Sequence, residues 1–147
     1  MSEALTLHFD VNGEDFTSAG QASVRFKKNM RELGVDPEII RRASIAMYEG
    51  EINMVIHAHG GCADVEVTEE AITITLTDKG PGIPDIAKAM QEGYSTAPDN
   101  IRQLGFGAGM GLPNMKRYTD EMYVESEPGV GTKVTLIVYI KSDPVGK

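Results

Sequence analysis

The stretch Ala71-Ile72-Thr73-Ile74-Thr75-Leu76-Thr77-Asp78-Lys79-Gly80-Pro81-Gly82 decides how this chain folds. Its first seven residues form a β-type run rich in Ile and Thr. The run stops at Asp78, where Asp-Lys-Gly-Pro-Gly has the composition of a turn. Upstream, a second β-type run from Ala63 to Thr68 joins it across Glu69-Glu70, which predicts a hairpin. Glycine lets backbone approach a ligand closely and adopt positive φ, so a strand ending in such a turn can present its terminal carboxylate to a bound molecule.

Toward the N-terminus, Leu5-Thr6-Leu7-His8-Phe9-Asp10-Val11 alternates apolar and polar side chains, as a half-buried strand does. A turn at Asn12-Gly13 follows. Apolar spacing at Ala19, Ala22, Val24, Phe26, Met30 and Leu33 predicts a helix over 18–33, closed by Gly34. Asp36 and Pro37 suit the N-cap and first position of a second helix, which runs to about His59 and ends at Gly60-Gly61. Beyond the glycine turn, Ile83 to Glu92 predicts a short helix, and Gly93 to Gly107 lacks periodicity. A further helix starts inside Gly105–Gly111 and continues to about Thr119, with Pro113 in its first turn. Glu121 to Glu127, the Pro128-Gly129 turn and Thr132 to Ile140 predict a second hairpin. The pattern mixes helices and strands without β–α alternation, which predicts an α+β two-layer sandwich as one domain over 1–141, with a polar tail at 142–147.

The chain has 147 residues and a net charge of −8, with no run of Lys or Arg, so general nucleic-acid binding is excluded as an expectation. Cys62 is the one cysteine and reads as a small structural side chain, with no intramolecular disulfide or cysteine-rich zinc site. No apolar stretch reaches the roughly 18 residues of a membrane span, and the polar N-terminus is not a signal peptide. These features predict a cytoplasmic chain without membrane or nucleic-acid partners.

Four features carry possible chemistry. Glu49 and Asn53 are four apart and share a helix face, whereas Glu51 lies about 200° around the helix from Glu49. Gly50 costs roughly 1 kcal/mol inside a helix, which signals a close neighbour. Asp78 ends its strand at Gly80 and Gly82. Glycine then holds alternate positions at Gly105, Gly107, Gly109 and Gly111, ahead of a helix whose N-terminus would favour phosphate. Lastly Gly129-Val130-Gly131-Thr132 reads as a hairpin turn with a hydroxyl. Singly, each fits a blander reading: a solvated Glu beside a hydrogen-bonded Asn, two hairpin turns, and a flexible hinge. His57 and His59, two apart on a helix, do not face each other and make an improbable metal pair. In order, the four suggest an ATP site.

In that order and spacing the sequence resembles the GHKL ATPases, the gyrase-, heat-shock-chaperone- and histidine-kinase-type ATP domains. Within them it is most similar to the small stand-alone bacterial serine/threonine kinases of the sigma-factor and stressosome switches. Glu49-x-x-x-Asn53 matches the N box, Asp78 to Gly82 the G1 box, Gly105 to Gly111 the G2 box and Gly129 to Thr132 the G3 box. The likeness covers roughly residues 35–141, with a longer segment between Tyr94 and Gly105 than it implies. It implies a mixed, mostly antiparallel sheet covered on one face by helices. It implies that Glu49 is a general base and that Asn53 coordinates Mg²⁺ at the ATP phosphates. Asp78 would bind the adenine amino group, with Gly80, Gly82, Ile83, Leu112 and Thr132 around the nucleotide. Gly105, Gly107, Gly109 and Gly111 would form a lid, and Gly93 to Gly107 would be poorly ordered without nucleotide. The implied activity is phosphorylation of a STAS-domain antagonist protein, with a sigma factor as a further partner and a monomer or homodimer as the working state. The alternative is a nucleotide-gated binding module without transfer.

Overall fold

A computed structural model describes residues 4–12, 20–58, 60–80, 111–127 and 129–140. In chain order they form β1 (Leu5–Asn12), α1 (Gln21–Glu32), α2 (Pro37–Ala58), β2 (Gly60–Val67), β3 (Ala71–Asp78), α3 (Gly111–Arg117), β4 (Glu121–Glu127) and β5 (Gly131–Tyr139). The five strands make one sheet in the order β1-β2-β3-β5-β4, and every described pairing is antiparallel. Both expected hairpins, β2–β3 and β4–β5, are present. The fold is α+β, with helices against one face of an antiparallel sheet.

Period-two alternation sorts each strand into two faces. Ala63, Val65 and Val67 of β2, Ile72, Ile74 and Leu76 of β3, and Val134, Leu136 and Val138 of β5 are buried toward the helices. Helix α2 crosses this layer and contributes Ala43, Ala46, Met47, Met54 and Val55, while α1 adds Phe26 and Met30 and α3 adds Leu112 and Met115. The opposite face has no described helix on it. It carries polar positions such as His8, Asp64, Thr75, Thr135 and Tyr123, aligned across the strands by the register. Cys62 has this outward parity too, half-buried beside Asp64, and is not part of the core as a structural cysteine would be.

Local chemistry fixes the helix ends. The Asp36 carboxylate accepts the Glu38 N–H at 2.8 Å, so Asp36 caps α2 as its position before Pro37 predicts. Helix α1 has no side-chain cap of its own at Gly20. Glu51 of α2 supplies one: its buried carboxylate accepts the N–H groups of Gly20, Ala22 and Ser23 at 2.9, 3.0 and 3.1 Å. That satisfies three donors which a helix start otherwise leaves without partners, and it places negative charge at the positive end of the helix dipole. Glu51 thus points away from Glu49, as their angular separation requires. Arg42 of α2 pairs with Asp120 at 3.1 Å, and the second Asp120 oxygen accepts the Tyr139 N–H at 2.7 Å, which ties the helix to the β4–β5 hairpin.

Two expected boundaries differ. Gly60 and Gly61 belong to β2 and do not simply terminate the helix: they pair with Asn12 and Val11. A Cβ on Gly61 would lie 2.3 Å from the Thr77 carbonyl oxygen, so glycine there serves strand packing. Helix α3 spans seven residues and ends at Arg117. The expected helix over 83–92 and the aperiodic segment 93–107 lie outside the described residues.

Candidate nucleotide site

Glu49 and Asn53 lie one turn apart on α2, and both are partly buried. Burial pushes the Glu49 carboxyl above its ordinary range, partly countered by a hydrogen bond from Asn114 Nδ2 to Oε2 at 3.3 Å. Asn114 is in the first turns of α3, three residues after Gly111, and its Oδ1 accepts from Arg117 Nη1 at 3.4 Å. The contact therefore couples the Glu/Asn helix to the helix that follows the second glycine cluster. Gly50 explains how α2 comes so close. A Cβ there would lie 2.1 Å from Leu76 Cδ1 and 3.2 Å from Met115 Sδ, so α2, β3 and α3 meet directly beside Glu49.

Asp78 ends β3 opposite Thr132, the second residue of β5. Its Oδ1 accepts two backbone N–H groups, from Gly80 at 2.9 Å and Thr132 at 3.2 Å. Both bonds fall on the same oxygen, and among the described residues no hydrogen bond reaches Oδ2. Gly131 permits this arrangement: its φ is +149°, and a Cβ would lie 2.2 Å from the Asp78 carbonyl oxygen. Thr132 is buried, and its hydroxyl is 3.0 Å from Ser126 Oγ. Gly61 links the two halves of the site, because its missing Cβ would be 2.9 Å from Met54 Sδ and 3.2 Å from Asp78 Cα. Met54 is the neighbour of Asn53, so the Asn53 end of α2 and the Asp78 end of β3 converge on one glycine.

Of the residues expected at the site, Glu49, Asn53, Asp78, Gly80, Gly111, Leu112 and Thr132 are described. Gly82, Ile83, Gly105, Gly107 and Gly109 lie outside the described residues. Leu112 is buried in the core. The sequence pattern does not single out Asn114, and it places Glu51 only as facing away from Glu49, without its cap on α1. The position of Asn114 on the helix opened by Gly111 was its one available signal. Magnesium takes oxygen ligands, with phosphate and water completing its shell. The half-buried Asn53 carboxamide is a fitting donor for that role. Among the described residues no helix is long and apolar enough to cross a membrane.

Comparison with known proteins places the chain in a family. The family model for histidine kinase-, DNA gyrase B- and HSP90-like ATPases matches residues 38–142. The chain is 38% identical over 134 residues to a protein of Pasteuria penetrans named anti-sigma F factor, covering 84% of this chain and 86% of that one. It is 33% identical over 115 residues to the serine/threonine-protein kinase RsbT of Bacillus subtilis, covering 76% and 80%. Among solved structures, the RsbU and RsbW domains of a Mycobacterium tuberculosis protein superpose with a TM-score of 0.61 at 16% identity, over 95% of this chain and 33% of that longer one. The SiaB–SiaC complex from Pseudomonas aeruginosa gives 0.56 at 13% identity, over 91% and 89%. With more than half of the sequence matched by that family model, the chain belongs to the family of histidine kinase-, DNA gyrase B- and HSP90-like ATPases.

Proposed function

We propose that this chain is an ATP-dependent serine/threonine protein kinase that phosphorylates a partner regulatory protein, of the STAS antagonist type, in a switch controlling a sigma factor or stress response. The observation that carries the proposal is the Glu49 carboxylate. It is half-buried, its proton affinity is raised above the ordinary carboxylate range by desolvation, and it accepts a hydrogen bond from Asn114. A carboxylate that holds a proton more strongly than an ordinary one is the better base for a hydroxyl proton. Asn53 would hold Mg²⁺, which when bound neutralises charge on the triphosphate. Asp78 Oδ2 would accept the adenine amino group, with Oδ1 held by Gly80 and Thr132. Glu49 would take the proton of the partner's Ser or Thr hydroxyl as that oxygen attacks the terminal phosphorus and the bond from phosphorus to the bridging oxygen breaks, with ADP as the leaving group. The B. subtilis relative named a serine/threonine-protein kinase supports transfer chemistry.

A second reading, capture of a partner gated by nucleotide without transfer, is favoured by the relatives named anti-sigma F factor. Incubation with Mg²⁺, γ-labelled ATP and the product of a neighbouring reading frame separates the two. Label on the partner, lost in Glu49→Gln while ATP binding persists, supports the kinase. ATP binding with no label on any such partner refutes it in favour of the gated module.

A further inference from the structure

The face of the sheet away from the helices carries a cluster with no part in the nucleotide site. The β1–β2 register sets His8 opposite Asp64 and Asp10 opposite Cys62, at the corners of a square. All four point outward, because the intervening Phe9, Val11, Ala63 and Val65 pack toward the core. His8 Nδ1 is 2.6 Å from Asp64 Oδ1, His8 Nε2 is 3.0 Å from Asp10 Oδ1, and Cys62 Sγ is 3.7 Å from Asp64 Oδ2. One ligand atom from each of His8, Cys62 and Asp64 lies within 4.8 Å of the other two.

We infer that His8, Cys62 and Asp64 form a binding site for one divalent transition-metal cation of the zinc class, with Asp10 orienting the imidazole from outside the coordination shell. Imidazole, thiolate and carboxylate are the donors zinc uses, and a catalytic-type site has three protein ligands with a fourth position open to water. The same set rejects magnesium and calcium, which require oxygen donors. Ligand atoms about 2.0–2.3 Å from zinc in a tetrahedral array are about 3.3–3.8 Å apart. Rotamer adjustments at these solvent-facing side chains would open the 2.6 Å His8 Nδ1–Asp64 Oδ1 pair and draw in the wider separations, all within 4.8 Å, to that range. The far ring nitrogen of His8 also has a carboxylate beside it, that of Asp10. Metal-bound histidines almost always give their second N–H to such an acceptor, which fixes the tautomer and leaves Nδ1 free to ligate. A plain ion pair would also use the histidine and carboxylates alone, whereas here the thiol joins from the adjacent row. Occupation would clip β1 to β2 at the sheet edge, on the layer opposite Glu49 and Asn53.

The test uses the full chain, stripped of metal with a chelator and free of nucleotide. Titration with Co²⁺ should give one equivalent and a thiolate-to-cobalt charge-transfer absorption, with Zn²⁺ competing and excess Mg²⁺ without effect. The absorption should vanish in Cys62→Ser. Zinc affinity should fall in His8→Gln by at least the roughly 10–100-fold that even an outer-shell change costs, and Asp10→Asn should fall within that range. Zinc should also raise the thermal midpoint of the unaltered chain but not of Cys62→Ser, which serves as the check that the variant folds. The inference is overturned if cobalt gives no charge-transfer absorption. It is equally overturned if zinc binds Cys62→Ser and His8→Gln as tightly as the unaltered chain, the result for adventitious surface binding.

Discussion

Replacing Asp78 by Asn tests the proposed base pocket with little disturbance of the fold. In the native turn one oxygen, Oδ1, accepts both the Gly80 and the Thr132 N–H groups. An asparagine keeps those bonds if its amide oxygen takes the Oδ1 position, and any other rotamer aims an NH₂ at two N–H donors. The amide nitrogen is thereby forced into the Oδ2 position, where a donor would face the adenine amino group. A hydrogen bond to a charged acceptor contributes about 1.5–3 kcal/mol. Its loss converts to a weakening of ATP binding of about 10- to 150-fold. Because both backbone bonds survive in neutral form, unfolding stability should change by only about 1 kcal/mol. The assay is isothermal titration calorimetry with ATP and with inosine triphosphate, which carries an acceptor oxygen where adenine carries the amino group. Asp78→Asn should bind ATP more weakly and inosine triphosphate relatively better, narrowing or inverting the preference. Equal ATP affinity, within about threefold, in a variant with native circular dichroism would refute the assignment of Oδ2.

Other variants probe the remaining parts. Glu49→Gln should lower phosphoryl transfer by about 10²- to 10⁴-fold in single-turnover assays while ATP binding persists. Transfer needs the ionised carboxylate, so activity should rise with pH through a Glu49 pKa lifted by burial, and Asn114→Leu, which removes the lowering hydrogen bond, should move that acid limb to higher pH. The sign for stability is opposite: a raised carboxyl pKa leaves Glu49's contribution fullest below the ordinary carboxylate range and diminishes it as pH rises through the folded value. Glu51→Ala strands three buried N–H groups and should cost about 3–5 kcal/mol, or about 10–15 °C in Tm by calorimetry, with Glu51→Gln intermediate. Gly131→Ala should impair both urea midpoint and ATP affinity, since its Cβ would meet the Asp78 carbonyl oxygen at 2.2 Å. Gly129→Ala, with open space and φ of +82°, should cost about 1–2 kcal/mol in stability alone.

Much of this architecture is legible in the sequence because local signals and burial agree. The β3 run, its Glu69-Glu70 turn and the Asp36-Pro37 start of α2 depend on neighbours in the chain, and the pairing register follows the alternation. The Glu49–Asn53 geometry follows from helical spacing alone. Contacts between elements distant in sequence are less legible. Asn114 meets Glu49 across 65 positions, and Glu51 reaches Gly20 across 31, so no local pattern announces either bond. Gly61 misleads for the same reason: next to Gly60 it resembles a helix stop, while the carbonyl that forbids a side chain there comes from Thr77 on the next strand. Cys62 and His8 require the β1–β2 register before they can be seen as neighbours.

The Glu51 cap has an implication for where the working unit begins. The family match starts at residue 38, as if the first strand and helix were a detachable leader. Yet cutting the chain there would strip the Glu51 carboxylate, two residues along the same helix from the proposed base, of its three donors and remove Phe26 and Met30 from the core. It would also bare β2 as a raw edge. The β1–α1 segment is therefore a brace for the helix that carries the proposed base.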